Sequence, residues 1–390
     1  MSTNEKTIQE STSAPCTYPL WCGNELPKSA DVPMLDGVQF HVIKPYAFAE
    51  DGYRFLHGVA LAWHRNRLYA SFGHNRGAEN TATEEARGRI SDDGGKHWGE
   101  IFTIASAPEP GCAVSHGVFL SHRDRLWAFH GAYYGTMEKV HTRAYLLEEG
   151  SDQWQDRGVL LEGGFWPLQE PLRMADGNWI MAGISARGDC SAGGVNPPAV
   201  AISDGDDFTR WDLVVLPCRA PGKIWAESTV FLDGARVVNI ARYGEASQAL
   251  LATSEDYGRT WTPSTPSNFP MVTSKPYAGT LSNGQHYLIG TTAAHCGKRR
   301  APLTIALTRP GASTFSSVFA IRSAEFPEGP GESHPRASLS YPYAVEHDGH
   351  LFVGYSNSGG KAGRVGEGRE LWNNNSGELA IVPVTALCGP

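Results

Sequence analysis

The stretch Ser91-Asp92-Asp93-Gly94-Gly95-Lys96-His97-Trp98 returns as Ser254-Glu255-Asp256-Tyr257-Gly258-Arg259-Thr260-Trp261. Both read S-x-D-x-G-x-x-W. The Ser and Asp side chains of such a unit bond back to nearby backbone N–H groups, Gly takes a turn conformation closed to other residues, and Trp covers the sheet beneath. The unit is a connection between antiparallel strands. It speaks for architecture before it speaks for chemistry.

Working outward, the turn sits inside a longer repeat of strand, polar or Gly-containing turn and returning strand. Copies run over 55–75, 115–134, 170–187, 227–244, 274–292 and 340–358. Their closing aromatics Trp98, Trp154, Trp211, Trp261 and Phe315 lie 50 to 57 residues apart, the length of a four-stranded propeller blade. Blades two, three and five carry eroded turns, such as Ser203 to Trp211. The sixth copy has no fourth strand of its own. The alternating segment Val38 to Ile43, within 37–45, is the natural partner for 378–384, so the two ends close the ring. The expectation is an all-β, single β-propeller of six blades, with seven as a minority option. Residues 1–33, rich in Ser, Thr, Pro and charge, form a flexible N-terminal arm in this reading, and 34–390 form the propeller.

Composition agrees: 44 Gly, 25 Pro and a 41% hydrophobic content describe a turn-rich β protein with ample core. A net charge of −8 and the lack of a basic stripe argue against nucleic acid. No run of 18 apolar residues offers a membrane span, and the polar start carries no secretory signal. A monomer is expected, cytoplasmic, or secreted or periplasmic if a leader was removed. The seven cysteines are scattered without zinc spacing, and Cys16–Cys22 is the one locally plausible bridge. Walker, HExxH, G-x-S-x-G and Rossmann motifs are absent.

The inner strand of a propeller blade faces the central channel, so the residues opening each copy are the ones to read for chemistry. They are His57, His116, Glu170 with Arg173, Glu227, Lys275 with Tyr277, and Tyr341 with Tyr343. Second-strand exits add His74, His130, Arg187 and Arg242. His57, His74 and His116 are the candidate catalytic histidines, against the plainer reading of satisfied rim residues. The repeated His57-Gly58-Val59 and His116-Gly117-Val118 leave room for a ligand beside the backbone. Arg173, Arg242 and Lys275 can clamp a substrate carboxylate, or simply pair with Glu170, Glu227 and Glu245. Polar loops at 73–81, with His74 and Asn75 at its start, and at 359–376 supply lid or subsite walls.

The two S-x-D-x-G-x-x-W turns resemble the Asp-box, or bacterial neuraminidase repeat, of β-propellers. Together with VSHGVFLSH, SKPYAGTLSNGQHYLIG and LSYPYAVEHDGHLFVGYS, the segment GHNRGAENTATEEARGRISDDGGKHW resembles a group of such propellers over residues 37 to 384. That group comprises L-rhamnose-α-1,4-D-glucuronate lyases and related α-L-rhamnosidases. The resemblance implies a uronate-containing oligosaccharide or polysaccharide substrate, a catalytic histidine among His57, His74 and His116, and arginines facing the uronate. It also implies seven blades, against the six counted here. No cofactor is required, though a structural calcium ion in the central channel fits the resemblance.

Elimination at a uronate needs a cation to neutralise the carboxylate, a base for the α proton and an acid for the departing oxygen. Arg173, Arg242, Lys275, Tyr277, Tyr341 and the histidines supply these, with Glu227 and Asn75 as further substrate contacts. A two-carboxylate glycosidase would use Glu170 and Glu227. A sialidase-like enzyme would use arginines with Tyr341 as nucleophile. The reading favoured is an exo-acting lyase of rhamnosyl-glucuronate ends, with a glycoside hydrolase second and a non-catalytic glycan-binding propeller third.

Overall fold

The computed structural model describes residues 18–23, 25–186, 194–358 and 375–388. Six antiparallel sheets follow one another around a ring. Their inner strands are Phe55–His64, Cys112–His122, the broken pair Phe165–Pro167 and Leu172–Arg173, Ser228–Asp233, Tyr277–Thr280, and Ser338–His347. The six-blade count stands, and the implied seven is corrected. The sixth sheet takes its outer strand from the start of the chain: Gln39–Lys44 pairs with Asn375–Pro383 in the register Gln39 to Ile381. A ring closed in this way leaves no open edge between its first and last blades.

Local chemistry explains the hairpins. Arg65-Asn66 and Arg123-Asp124 hold two successive positive-φ positions between inner and second strands, and Asp348-Gly349 does the same in blade six. Such turns match the right-handed twist of the strands they join. In both full boxes the Ser hydroxyl accepts from the Gly N–H at 2.8 Å, while Trp donates to that Gly carbonyl: Trp98 Nε1 at 3.1 Å and Trp261 Nε1 at 2.8 Å. The eroded box of blade three keeps the tryptophan bond, Trp211 Nε1 to the Phe208 carbonyl at 2.9 Å. Each box also touches the preceding blade of the ring: Gly95 of blade one abuts Leu379 of blade six, and Gly258 of blade four abuts Ile180 of blade three.

The described part of the N-terminal segment lies along blade five. Trp21, Lys28 and Met34 form parallel bridges to Phe315, Ala294 and Ala320, and Leu20 is fully buried. Asn268 accepts from the Leu20 and Trp21 N–H groups at 2.9 and 3.1 Å. Cys22, Cys112, Cys218, Cys296 and Cys388 are free thiols, and Cys16 lies outside the described residues, as does most of the 359–376 loop. Among the described residues no helix is long and apolar enough to cross a membrane.

The box geometry makes a paired prediction. Gly94 (φ +75°) faces open space, whereas a Cβ on Gly95 (φ +89°) would collide with Leu379. Gly94→Ala is expected to cost about 1 kcal/mol from backbone strain alone. Gly95→Ala adds overpacking and is expected to cost about 2–4 kcal/mol. Denaturant unfolding of the two variants checks this, and equal losses would count against the box as an inter-blade lock.

Candidate functional site

At the end of the ring where the inner strands begin, the ladders break in step. Bulges fall between His57 and Ala60, Val114 and Gly117, and Ser340 and Tyr343, and the inner strand of blade three is interrupted after Pro167. Bulges re-aim side chains. Tyr341, at the third, has φ +55°, a conformation that costs a non-glycine residue roughly 1–3 kcal/mol and collects at functional sites. The broken ladders open a cavity of about 420 Å³.

Glu227, just before the inner strand of blade four, is the centre of the cavity's polar wall. The Tyr341 phenol donates to its Oε1, and Arg242 Nη1 donates to Oε2 at 2.6 Å. Arg242 Nε in turn donates to Thr273 Oγ1 at 3.0 Å. Glu227 is 4% exposed and Tyr341 6%, so the charge is held by its partners rather than by water. Burial, with Glu227 next to it, keeps the Tyr341 hydroxyl protonated far above the usual phenol range. Arg300 shares the cavity, and no described residue forms an ion pair with it. Glu79 opens onto the cavity from the 76–83 loop. Glu79 is an exposed residue, and desolvation of its carboxyl at the cavity raises that group, with Arg300 opposing, Glu227 reinforcing and Arg242 opposing.

The histidines back this wall. The His57 ring lies 3.6 Å from that of Tyr341, and both its nitrogens are buried without a partner. Burial first, then His116 and the nearby cations, keeps His57 neutral well below the ordinary histidine range. His116 is pushed by burial to about 3; its Nδ1 meets Ser115 Oγ at 3.2 Å and its Nε2 is unpartnered. Ser115 donates to Glu84 Oε1, and Tyr133 donates to Glu84 Oε2 at 2.7 Å. The Gly after His57 serves a different purpose from the one expected: a Cβ on Gly58 would collide with the His116 imidazole. It makes room for a side chain, not a ligand.

Of the residues singled out from sequence, His57, His116, Glu227, Arg242 and Tyr341 meet at this cavity. Four others sit elsewhere. His74 is stacked behind the blade on Tyr53 at 4.1 Å, with Arg87 at its Nδ1, and does not project into the funnel. Asn75 ties the 76–83 loop by accepting from Gly77 N at 2.9 Å and donating to the Ala78 carbonyl at 2.9 Å. Arg173 is exposed at the far end of its strand, over Trp179. Tyr277 is fully buried in the channel, donating to Glu170 and to the Ala344 carbonyl.

Lys275 lies just behind the wall and donates to the Pro342 carbonyl at 2.8 Å; burial lowers it to about 7 against the pull of Glu227 and Glu170. Arg300, Glu79, Glu84 and Ser115 are cavity residues that the repeat pattern did not isolate. A calcium ion needs six to eight oxygen ligands. Among the described residues no group of three His, Cys, Asp or Glu side chains is placed to hold a metal ion.

Glu84 yields a pH prediction. Burial raises its carboxyl to about 7 despite the bonds from Ser115 and Tyr133, so the folded state favours its protonated form. Its stabilising contribution is complete below the ordinary carboxyl value of 4.5 and is lost as pH rises through about 7. Glu84→Gln is therefore expected to gain stability relative to the parent as pH rises from 5 to 8. Unfolding curves that stay parallel over that range would refute it.

The model of the BNR repeat-like domain matches residues 66–353. No curated protein sequence matches the chain. A Dyadobacter fermentans protein of unknown function aligns with TM-score 0.63 and 16% identity, covering 89% of this chain and 99% of that one. A Hadza microbial sialidase aligns with TM-score 0.66 and 10% identity over 89% of this chain and 69% of its own. The Trypanosoma rangeli sialidase aligns with TM-score 0.62 and 12% identity over 89% and 60%. At these identities the likeness establishes the fold. The family match covers well over half of the sequence, and the chain belongs to the BNR repeat-like domain family.

Proposed function

We propose that this protein is an exo-acting glycoside hydrolase that releases a terminal sugar bearing a carboxylate on its anomeric carbon. The observation that carries the reading is the Tyr341–Glu227–Arg242 cluster, a phenol whose proton already points at a paired carboxylate. A carboxylate nucleophile would be repelled by a substrate carboxylate on the carbon under attack, whereas a neutral phenol is not. Arg300, with Arg242 beside it, offers the cationic surface such a substrate needs. The sialidases among the structural neighbours act within the same kind of propeller.

The steps balance on residues of this chain. The Tyr341 oxygen attacks the anomeric carbon as Glu227 takes the phenolic proton. Glu79, whose carboxyl desolvation raises toward its protonated form, gives a proton to the departing glycosidic oxygen. Glu79 then takes a proton from water, the water oxygen attacks the same carbon, and Tyr341 leaves and recovers its proton from Glu227. Two displacements at one carbon return the original anomeric configuration.

One observation favours a second reading, the exo-lyase of rhamnosyl-glucuronate ends. His57 is neutral, unpartnered and against Tyr341, so it can take the C5 proton of a uronate while Tyr341 protonates the departing O4. The products separate the two. Incubation with glycans ending in a 2-keto sugar acid, and with rhamnosyl-glucuronate oligosaccharides, is expected to release the free keto acid with retention. Tyr341→Phe is expected to lower kcat by about 10³-fold or more. Ultraviolet absorbance of an unsaturated uronate from the second substrate would establish the lyase instead. Turnover of neither would leave a binding protein.

A further inference from the structure

Beside the cavity lies a second cleft of about 620 Å³, lined by Lys298, Arg299, Arg300 and Arg336 with one opposing acid, Glu325. Such a concentration of positive charge is unexpected on a chain of net charge −8. Among the described residues none of these four cations forms a salt bridge, while acids elsewhere on the surface pair with Arg67, Arg123, Arg236 and Arg259. The cleft is continuous with the site. A passage of about 280 Å³ shares His57, Glu79 and Arg300 with the main cavity, and Lys298 and Arg300 with the cleft. Its walls also carry Ser338 Oγ and Asn375 Oδ1, on residues 1% and 5% exposed, both without a hydrogen-bond partner. Buried polar atoms left bare beside a passage are groups that await a ligand.

We propose that this passage and cleft form a second subsite that binds a carboxylate on the sugar following the one to be released, so that the preferred glycan is polyanionic. The proposal rests on the hydrolase reading for its first sugar, and on the cleft itself for its second. Ser338 and Asn375 would meet hydroxyls of the linking sugar, and Lys298, Arg299 and Arg336 the carboxylate. Arg300 stands between the two anions and serves both.

The test is calorimetry with the full chain, using N-acetylneuraminic acid, its α-linked dimer with sulfur in place of the glycosidic oxygen so that it is not hydrolysed, and inorganic phosphate. The triple variant Lys298→Ala/Arg299→Ala/Arg336→Ala alters exposed side chains and is expected to fold like the parent. The parent should bind the dimer about tenfold more tightly than the monomer, as one charge-assisted contact allows. The triple variant should bind both alike, with monomer affinity unchanged. Equal affinities in the parent, or a dimer advantage that survives in the variant, would overturn the subsite. If the parent binds neither sugar, the first-sugar reading has failed, and phosphate reads the cleft alone. Phosphate heat in the parent that the triple variant loses then sustains an anion subsite, and no heat in the parent overturns it.

Discussion

A carboxylate at the mouth of the channel, taken out of water, is the constraint on which the site depends. Glu227 is buried, and a buried charge without partners is among the costliest features a fold can contain. Its two oxygens are answered from two blades, by Arg242 from its own blade four and by Tyr341 from blade six. Removing either partner strands the charge, so blades four and six are held in one relative position. The left-handed backbone of Tyr341 is the cost of reaching across. Lys275 steadies that reach by bonding the next carbonyl, at Pro342. Packing, strain and electrostatics therefore meet at one phenol–carboxylate contact.

The same arrangement explains why the nearby histidines are neutral. His57, His116, Arg242, Arg300 and Lys275 crowd a small volume, and burial disfavours each extra positive charge. The imidazoles give way first because their ordinary range lies lowest among these bases. They become shape and hydrogen-bonding capacity, while the guanidinium groups keep the charge. Beside the paired Glu227 and Arg242, the cavity thus keeps Arg300 as a permanent cation among neutral rings.

The architecture was legible because propeller blades repeat their turn chemistry. Two full boxes and a run of spaced aromatics were enough to count six blades and to pair 37–45 with the last strand, and the sheet order agrees. The inner-strand rule also brought His57, His116, Glu227 and Tyr341 onto one list, and the second-strand exits added Arg242. It failed where position in a strand and direction of a side chain part company. His74 follows the same strand pattern but points behind the blade, and Tyr277 starts its strand one step too deep. Arg300 and Glu79 come from connections between strands, where no period exists to mark them. The bulges that re-aim Tyr341 and the histidines leave no composition signal either, apart from Gly58.

The most direct measurement of the central claim is covalent. A fluorinated 2-keto sugar acid with an activated leaving group slows the second displacement and lets a glycosyl-enzyme accumulate. Peptide mapping by mass spectrometry should then find the added sugar on Tyr341, and Glu227→Gln should reduce its yield. Turnover of the parent substrate with the adduct on another residue, or with no adduct at all, would contradict a tyrosine nucleophile held by Glu227.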